Sequence, residues 1–218
     1  MAFLQRPYWF AHKVLDQETL NYIEVAAQEE KEKTGVYMGV TGSPGDAQFE
    51  HVRKTEVIWI DHLDKKLNDI LTYYINIACA ESNWNIEWSA FDGFQYGMYG
   101  PGGHYDWHID GAGETTSDTI PDHFGKMRKL SISVSLNNQE MDYRGGDFQI
   151  MDGFDNKTGL PIIGTADQLK DAGSIAIFSS DLYHRVTPVT AGERKSLVAW
   201  VCGWPEPGYY KNGENRLQ

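Results

Sequence analysis

Cysteine is nearly absent: Cys79 and Cys202 are the only two in 218 residues. Neither belongs to a CxxC pair, which argues against a cysteine zinc site. Both lie in apolar stretches (NIACAES and AWVCGW), so two buried thiols are expected, with a single disulfide as the alternative. Proline is scarce, at eight residues, and no linker, repeat or low-complexity tract divides the chain. No apolar run approaches the roughly 20 residues a bilayer-crossing helix needs. The N-terminus lacks the charged-then-apolar layout of a secretion signal, so a cytoplasmic protein without membrane partners is expected. Basic residues are in deficit, 19 Lys+Arg against 31 Asp+Glu, for a net charge of −12. Such a surface repels phosphate backbones and makes nucleic-acid binding unlikely on charge grounds, while it would attract a basic peptide.

What is present is ordinary globular usage, 41% hydrophobic and 23% charged, enough for one continuous domain. Residues 1–83 read as a helical support with a loop, 84–204 as a β-rich core and 205–218 as a C-terminal tail. Asp16 is a helix N-cap, and Leu20, Ile23, Ala26 and Ala27 recur at helical spacing until Gly35. Gly-rich residues 36–56 predict a long loop. A second helix is expected from near Asp61 to near Asn83, with Leu63, Leu67, Ile70, Leu71, Tyr74 and Ile77 on its apolar face. Beyond Trp84, six or seven short strands separated by Gly, Asn and Asp predict an antiparallel sandwich or jelly roll. In RKLSISVSLN, Leu130, Ile132, Val134 and Leu136 face one way and Ser131, Ser133 and Ser135 the other. The serine face is either a solvated exterior or a pocket wall kept small for a ligand.

The segment from Tyr99 to Asp110 (YGPGGHYDWHID) carries the chemistry. His108 and Asp110 are two apart, and on a strand that spacing puts both side chains on one face. Alone, such a triplet is common by chance; His104 and Asp106 share the spacing, and His104 is read as a loop residue. A third ligand must come from a distant strand, and His184, after the apolar SIAIF run, is the candidate. Two imidazoles and one carboxylate leave the far face of a metal open, as in the facial triad of non-haem Fe(II) oxygenases. In the last strand Arg194, Ser196, Val198 and Trp200 alternate onto one face. An arginine pointed into an apolar interior needs a partner, and a dicarboxylic acid supplies one through a bidentate fork. Tyr99 and Ser196 hydroxyls add hydrogen bonds to it.

With an HxD pair, a distant His and an Arg ten residues further on, the chain resembles the Fe(II)/2-oxoglutarate-dependent dioxygenases, and within them the prolyl 4-hydroxylases. The resemblance covers roughly residues 84–204. It implies a mainly β fold with flanking helices, a double-stranded β-helix or cupin-like jelly roll. It implies Fe(II), 2-oxoglutarate and O2, with ascorbate as a reductant. His108, Asp110 and His184 match the iron ligands. Arg194, with Tyr99 and Ser196, matches the site for the distal carboxylate of 2-oxoglutarate. Tyr105, Arg128 and Trp200 match residues that contact substrate. The implied activity is hydroxylation of a prolyl residue in a peptide or protein; the alternatives are hydroxylation of a free amino acid or other small molecule, a jelly-roll binding module without catalysis, and a zinc hydrolase on the same triad. Tyr96, Trp107 and the other aromatics of this region stand either at the mouth or in ordinary packing. Two departures concern the ligand spaces. Ser135 stands where relatives often carry tyrosine, which implies a roomier cosubstrate pocket, and 111–127 is longer than a tight connection requires.

Overall fold

Two amphipathic helices begin at aspartates. In the computed structural model, which describes residues 7–38, 51–111 and 125–205, Asp16 accepts a hydrogen bond from the Thr19 N–H at 2.9 Å and opens helix α1 (Gln17–Thr34). Gly35, at φ +82°, closes it. Asp64 accepts from the Leu67 N–H at 2.9 Å and opens α2 (Lys65–Glu81). That cap lies later than the expected start near Asp61, so Leu63 falls before the helix and stays 72% exposed. The face that packs is Leu67, Leu71, Ile75 and Ala78, flanked by Ile70 and Tyr74.

The strands are β1 (Tyr8–Ala11), β2 (Tyr37–Met38), β3 (Arg53–Lys54), β4 (Glu56–Ile60), β5 (Ala90–Tyr99), β6 (His104–His108), β7 (Met127–Ser135), β8 (Tyr143–Gly145), β9 (Phe148–Phe154), β10 (Pro161–Thr165), β11 (Ile175–Ser179), β12 (His184–Val186), β13 (Val189–Gly192) and β14 (Arg194–Gly203). Among the described residues they form a larger sheet in the order β1-β11-β7-β14-β5-β4-β2 and a smaller one, β10-β9-β12-β6-β3, with β13 and β8 paired at one end. All pairs of these strands are antiparallel, giving a jelly roll with helices on the outside of the larger sheet.

Strand alternation builds two cores from the same residues' neighbours. Leu130, Ile132, Val134, Ile175, Ile177, Leu197, Ala199 and Val201 face the helices. Their alternates Ala176 and Phe178 join Tyr99, Tyr143, Phe148, Ile150 and Val186 between the sheets. The serines of β7 lie on this inner side and are buried, and Ser133 lines the cavity there, so the solvated reading of that face does not hold.

The expected loop over 36–56 is corrected at both ends. Residues 37–38 and 53–54 are strands, and Glu56–Ile60 pairs along β5, because Ile58 and Ile60 alternate onto the helix-side core face and bury there. His104, read as a loop residue, opens β6. Residues 39–50, most of the 111–127 stretch and most of the 205–218 tail lie outside the described residues. Cys202 is buried and Cys79 half-buried, and no disulfide joins them.

One glycine ties the fold to the last strand. Gly192 has φ +72°, and a Cβ there would lie 2.1 Å from the Asp142 carbonyl oxygen across the β8–β13 pair. Gly192→Ala should therefore force these strands apart two residues before Arg194. The expected result is a loss of more than about 1 kcal/mol, read as a lower urea midpoint at unchanged slope.

Candidate metal centre

His108 ends β6 and His184 opens β12, and the two residues are direct partners across that strand pair. The register slips between His184 and Val186, so Tyr105 as well as His108 turns inward. After β6 the chain is tied down: the Asp110 and Gly111 N–H groups both donate to the Ser180 carbonyl at 3.0 Å. A Cβ on Gly111 would meet Ser180 and the Arg128 backbone at 3.0 and 3.1 Å, so this close approach suits glycine. It sets the Asp110 carboxyl between the imidazoles, 3.6 Å from His108 Nε2 and 3.5 Å from His184 Nε2.

The ring orientations are fixed from behind. His108 Nδ1 lies 2.7 Å from the Asp106 carbonyl and His184 Nδ1 2.9 Å from the Leu182 carbonyl. A carbonyl only accepts, so each Nδ1 carries the proton and each Nε2 presents its lone pair inward. Burial, and then the charge of His184, push the His108 imidazole down to about 4, which keeps it neutral in the ordinary range. Burial works to raise the Asp110 carboxyl, but the two imidazoles, with Ser131 and Trp200 close by, hold it below the usual carboxylate range. One potential ligand atom from each of His108, Asp110 and His184 lies within 4.8 Å of the others. Asp110 Oδ2 is shut off from solvent with no hydrogen-bond partner, a costly state that a cation would relieve. Two neutral nitrogens and one ionised oxygen on one side fit Fe(II).

The triad stands in a cavity of about 240 Å³ between the sheets. Arg194, Ser196, Val198 and Trp200 all line it, as their alternation along β14 predicts. Arg194 is only 2% exposed. Its Nη1 donates to Ser196 Oγ at 3.1 Å, and its guanidinium sits 5.2 Å from the Tyr99 ring centroid. No carboxylate among the described residues pairs with it, so the donor set suits an incoming anion. Ser135 does not line the cavity; its hydroxyl donates to the Leu169 carbonyl. A second hydroxyl beside Arg194, besides that of Ser196, comes from Tyr143 of β8, which sequence reasoning missed.

At the other end, Tyr105 stacks on His108 with centroids 3.4 Å apart. Burial pushes its phenol up to about 12, so it stays protonated. Arg128 lies 4.0 Å from the Trp200 ring and donates through Nε to Asp92 Oδ2 at 2.7 Å. Tyr96 and Trp107 do not line the cavity: Tyr96 bonds Glu24 on the helix side, and Trp107 packs under Arg185. Arg53, Trp59, Gln95, Phe148 and Phe178 line it without having been singled out in the sequence. Arg53 was hidden in the stretch read as loop, where no periodicity marked it. Phe178 had a signal, as the inward alternate of SIAIF.

Known proteins are similar to this chain in sequence and in fold. A PKHD-type hydroxylase of Alteromonas mediterranea is 33% identical over 107 residues, 49% of this chain and 41% of the relative, so the match spans well under half of that relative's length. Among solved structures, a Pseudomonas putida prolyl-4-hydroxylase superposes with a TM-score of 0.62 at 18% identity, over 90% of this chain and 93% of that one. A Trichoplax adhaerens prolyl hydroxylase, in complex with a hypoxia-inducible-factor peptide, gives 0.62 at 15% identity, over 90% and 84%. At these identities the superpositions speak for the jelly-roll fold. The family model of the 2OG-Fe(II) oxygenase superfamily matches residues 94–202, half of the chain, and on that match and this triad the chain belongs to that superfamily, whose members use Fe(II), 2-oxoglutarate and O2.

Proposed function

We propose that this chain hydroxylates a prolyl residue in a peptide or protein, with His108, Asp110 and His184 holding Fe(II). The carrying observation is the convergence of those three side chains in one cavity with Arg194, a buried cation that has no carboxylate partner among the described residues. The iron, with 2-oxoglutarate and O2, supplies the oxidising power for putting oxygen into a C–H bond, and ascorbate is the proposed reductant.

The chain's own residues bind, orient and exclude water. The two Nδ1–H donations keep both imidazoles in the ligating tautomer without further reorganisation. Arg194, with Ser196 and Tyr99, takes the distal carboxylate of the cosubstrate, and the Tyr143 hydroxyl stands beside the guanidinium. Phe148, Phe178 and Val186 present an apolar wall beside His184 and keep that side dry. Tyr105, Arg128 and Trp200 are the proposed substrate contacts, giving flat faces on which a pyrrolidine ring packs. The peptide in the Trichoplax enzyme's complex supports an extended substrate here by analogy of fold.

Three outcomes test this reading. Asp110→Ala should abolish the rise in melting temperature that Fe(II) gives under anaerobic conditions, worth about 2.7 kcal/mol at a hundredfold excess over Kd. The metal-free midpoint is the control, since it reads the direct cost of losing the carboxylate that the two imidazoles face at 3.6 and 3.5 Å, and the Fe(II)-dependent rise is measured above it. Arg194→Ala should raise the KM for 2-oxoglutarate roughly 30-fold or more, for loss of a buried charge-assisted pair worth about 2–5 kcal/mol. Steady-state succinate release measures it, and an unchanged KM removes Arg194 from this role. Proline-containing peptides should stimulate succinate release and gain one oxygen atom by mass; a broad panel giving neither overturns the prolyl assignment.

A further inference from the structure

The charged side chains lining the cavity are Arg53, Asp110, Arg128 and Arg194, with the two histidines neutral as ligands. Arg128 is neutralised by Asp92 at 2.7 Å. On the reading above, the two charges of Fe(II) and that of Arg194 balance Asp110 and the two carboxylates of the cosubstrate. Arg53 alone is left over.

Its surroundings make that excess costly. Arg53 is half-buried on β3; its Nη2 donates to Gln95 Oε1 at 2.6 Å, and its carbon Cζ sits 4.5 Å from the Tyr105 ring centroid. Its Nε is shut off from solvent with no hydrogen-bond partner. No carboxylate among the described residues forms an ion pair with it, on a chain whose acids outnumber its bases 31 to 19. Other cations of the chain do find acids: Lys13 meets Asp171 at 3.1 Å and Lys195 meets Glu24 at 3.3 Å. A partly buried guanidinium with an idle donor is stable chiefly when something arrives to meet it.

We propose that Arg53 recognises a carboxylate on the substrate, so that the enzyme selects acidic substrates. This rests on the function proposed above and names its substrate class. Tyr105 lies between Arg53 and His108, stacked on the imidazole and covered by the guanidinium. The recognised carboxylate therefore sits one aromatic ring away from the metal ligand, beside the target carbon rather than on it. One excess positive charge matches one carboxylate; a phosphate dianion would leave a negative charge in the cavity. The overall charge of the chain suggested a basic partner, but the local charge at the mouth is the opposite, and over the few ångströms of a contact the local charge dominates.

The carboxylate has two sources, an Asp or Glu side chain near the target proline or the α-carboxylate of a C-terminal or free proline. The test uses the Fe(II)-loaded full chain with end-blocked proline peptides paired as Asp against Asn at each flanking position. The Asn peptide with a free C-terminus and free L-proline complete the set. The expected result is a preference of about tenfold or more in kcat/KM for a carboxylate-bearing member, carried by KM and weakened by salt. Arg53→Gln should remove the preference. Arg53→Glu should invert it toward a Lys-flanked peptide, a gain that misfolding does not mimic. Equal kcat/KM for every pair in the unmodified chain overturns the proposal, as does a preference that survives in Arg53→Gln. Calorimetric binding of the same pairs separates the two hypotheses. If no peptide is hydroxylated, the prolyl assignment fails. Tighter binding of the carboxylate member that vanishes in Arg53→Gln then still supports the role of Arg53, and equal binding overturns it.

Discussion

The pairing of β12 with β6 is the contact on which the rest of this molecule depends. It makes two histidines far apart in the chain into direct cross-strand neighbours. It also fixes their rings through backbone carbonyls of their own strand neighbourhoods. An iron site needs donor atoms placed to fractions of an ångström, and loops alone rarely hold that tolerance. A hydrogen-bonded strand pair inside a sandwich does, because moving either histidine breaks ladder bonds and exposes packed side chains. Asp110 joins through the Ser180 carbonyl, so its position is also set by backbone geometry.

The larger sheet divides labour by alternation. Outward side chains of β7, β11 and β14 bury themselves under the helices and supply the cohesion. Inward ones are serines, an alanine, a valine, aromatics and the arginines Arg128 and Arg194, which leave a space and furnish it with chemistry. A cavity lined by small and polar groups gives up packing energy, and the helix-facing core offsets that loss. This is the physical reason that the same strands can be both the most buried and the most functional in the chain. Charge follows the same division: an acidic exterior surrounds a cavity in which arginines outnumber the one carboxylate.

How much was legible in the sequence depended on whether the signal was local. The N-cap Asp16, the closing Gly35 and the alternation of β7 and β14 could be read directly, because each is a rule about neighbours two to four residues apart. Leu63 was misjudged because the helix is capped at Asp64, about one turn later than expected, which leaves Leu63 outside it while the rest of the apolar face keeps its phase. The strands at 37–38, 53–54 and 56–60 were missed because such short strands, two of them at sheet edges, exist only where another strand accepts them. Tyr143 escaped notice because its partner, Arg194, is contributed by a strand far along the chain.

The sequence by itself determined a β-rich sandwich or jelly-roll class, the alternating faces of β7 and β14 and the candidate triad with its arginine, through spacing, residue chemistry and the family resemblance they carry. Tertiary structure alone decided that Ser135 bonds away from the cavity and that Tyr143 stands beside Arg194. It alone decided that Arg53 enters the cavity wall over Tyr105 without an acid to meet it. The reason is that a side chain's partner is set by which strands lie side by side, and strand order is settled by burial of the whole chain, not by any short stretch of it.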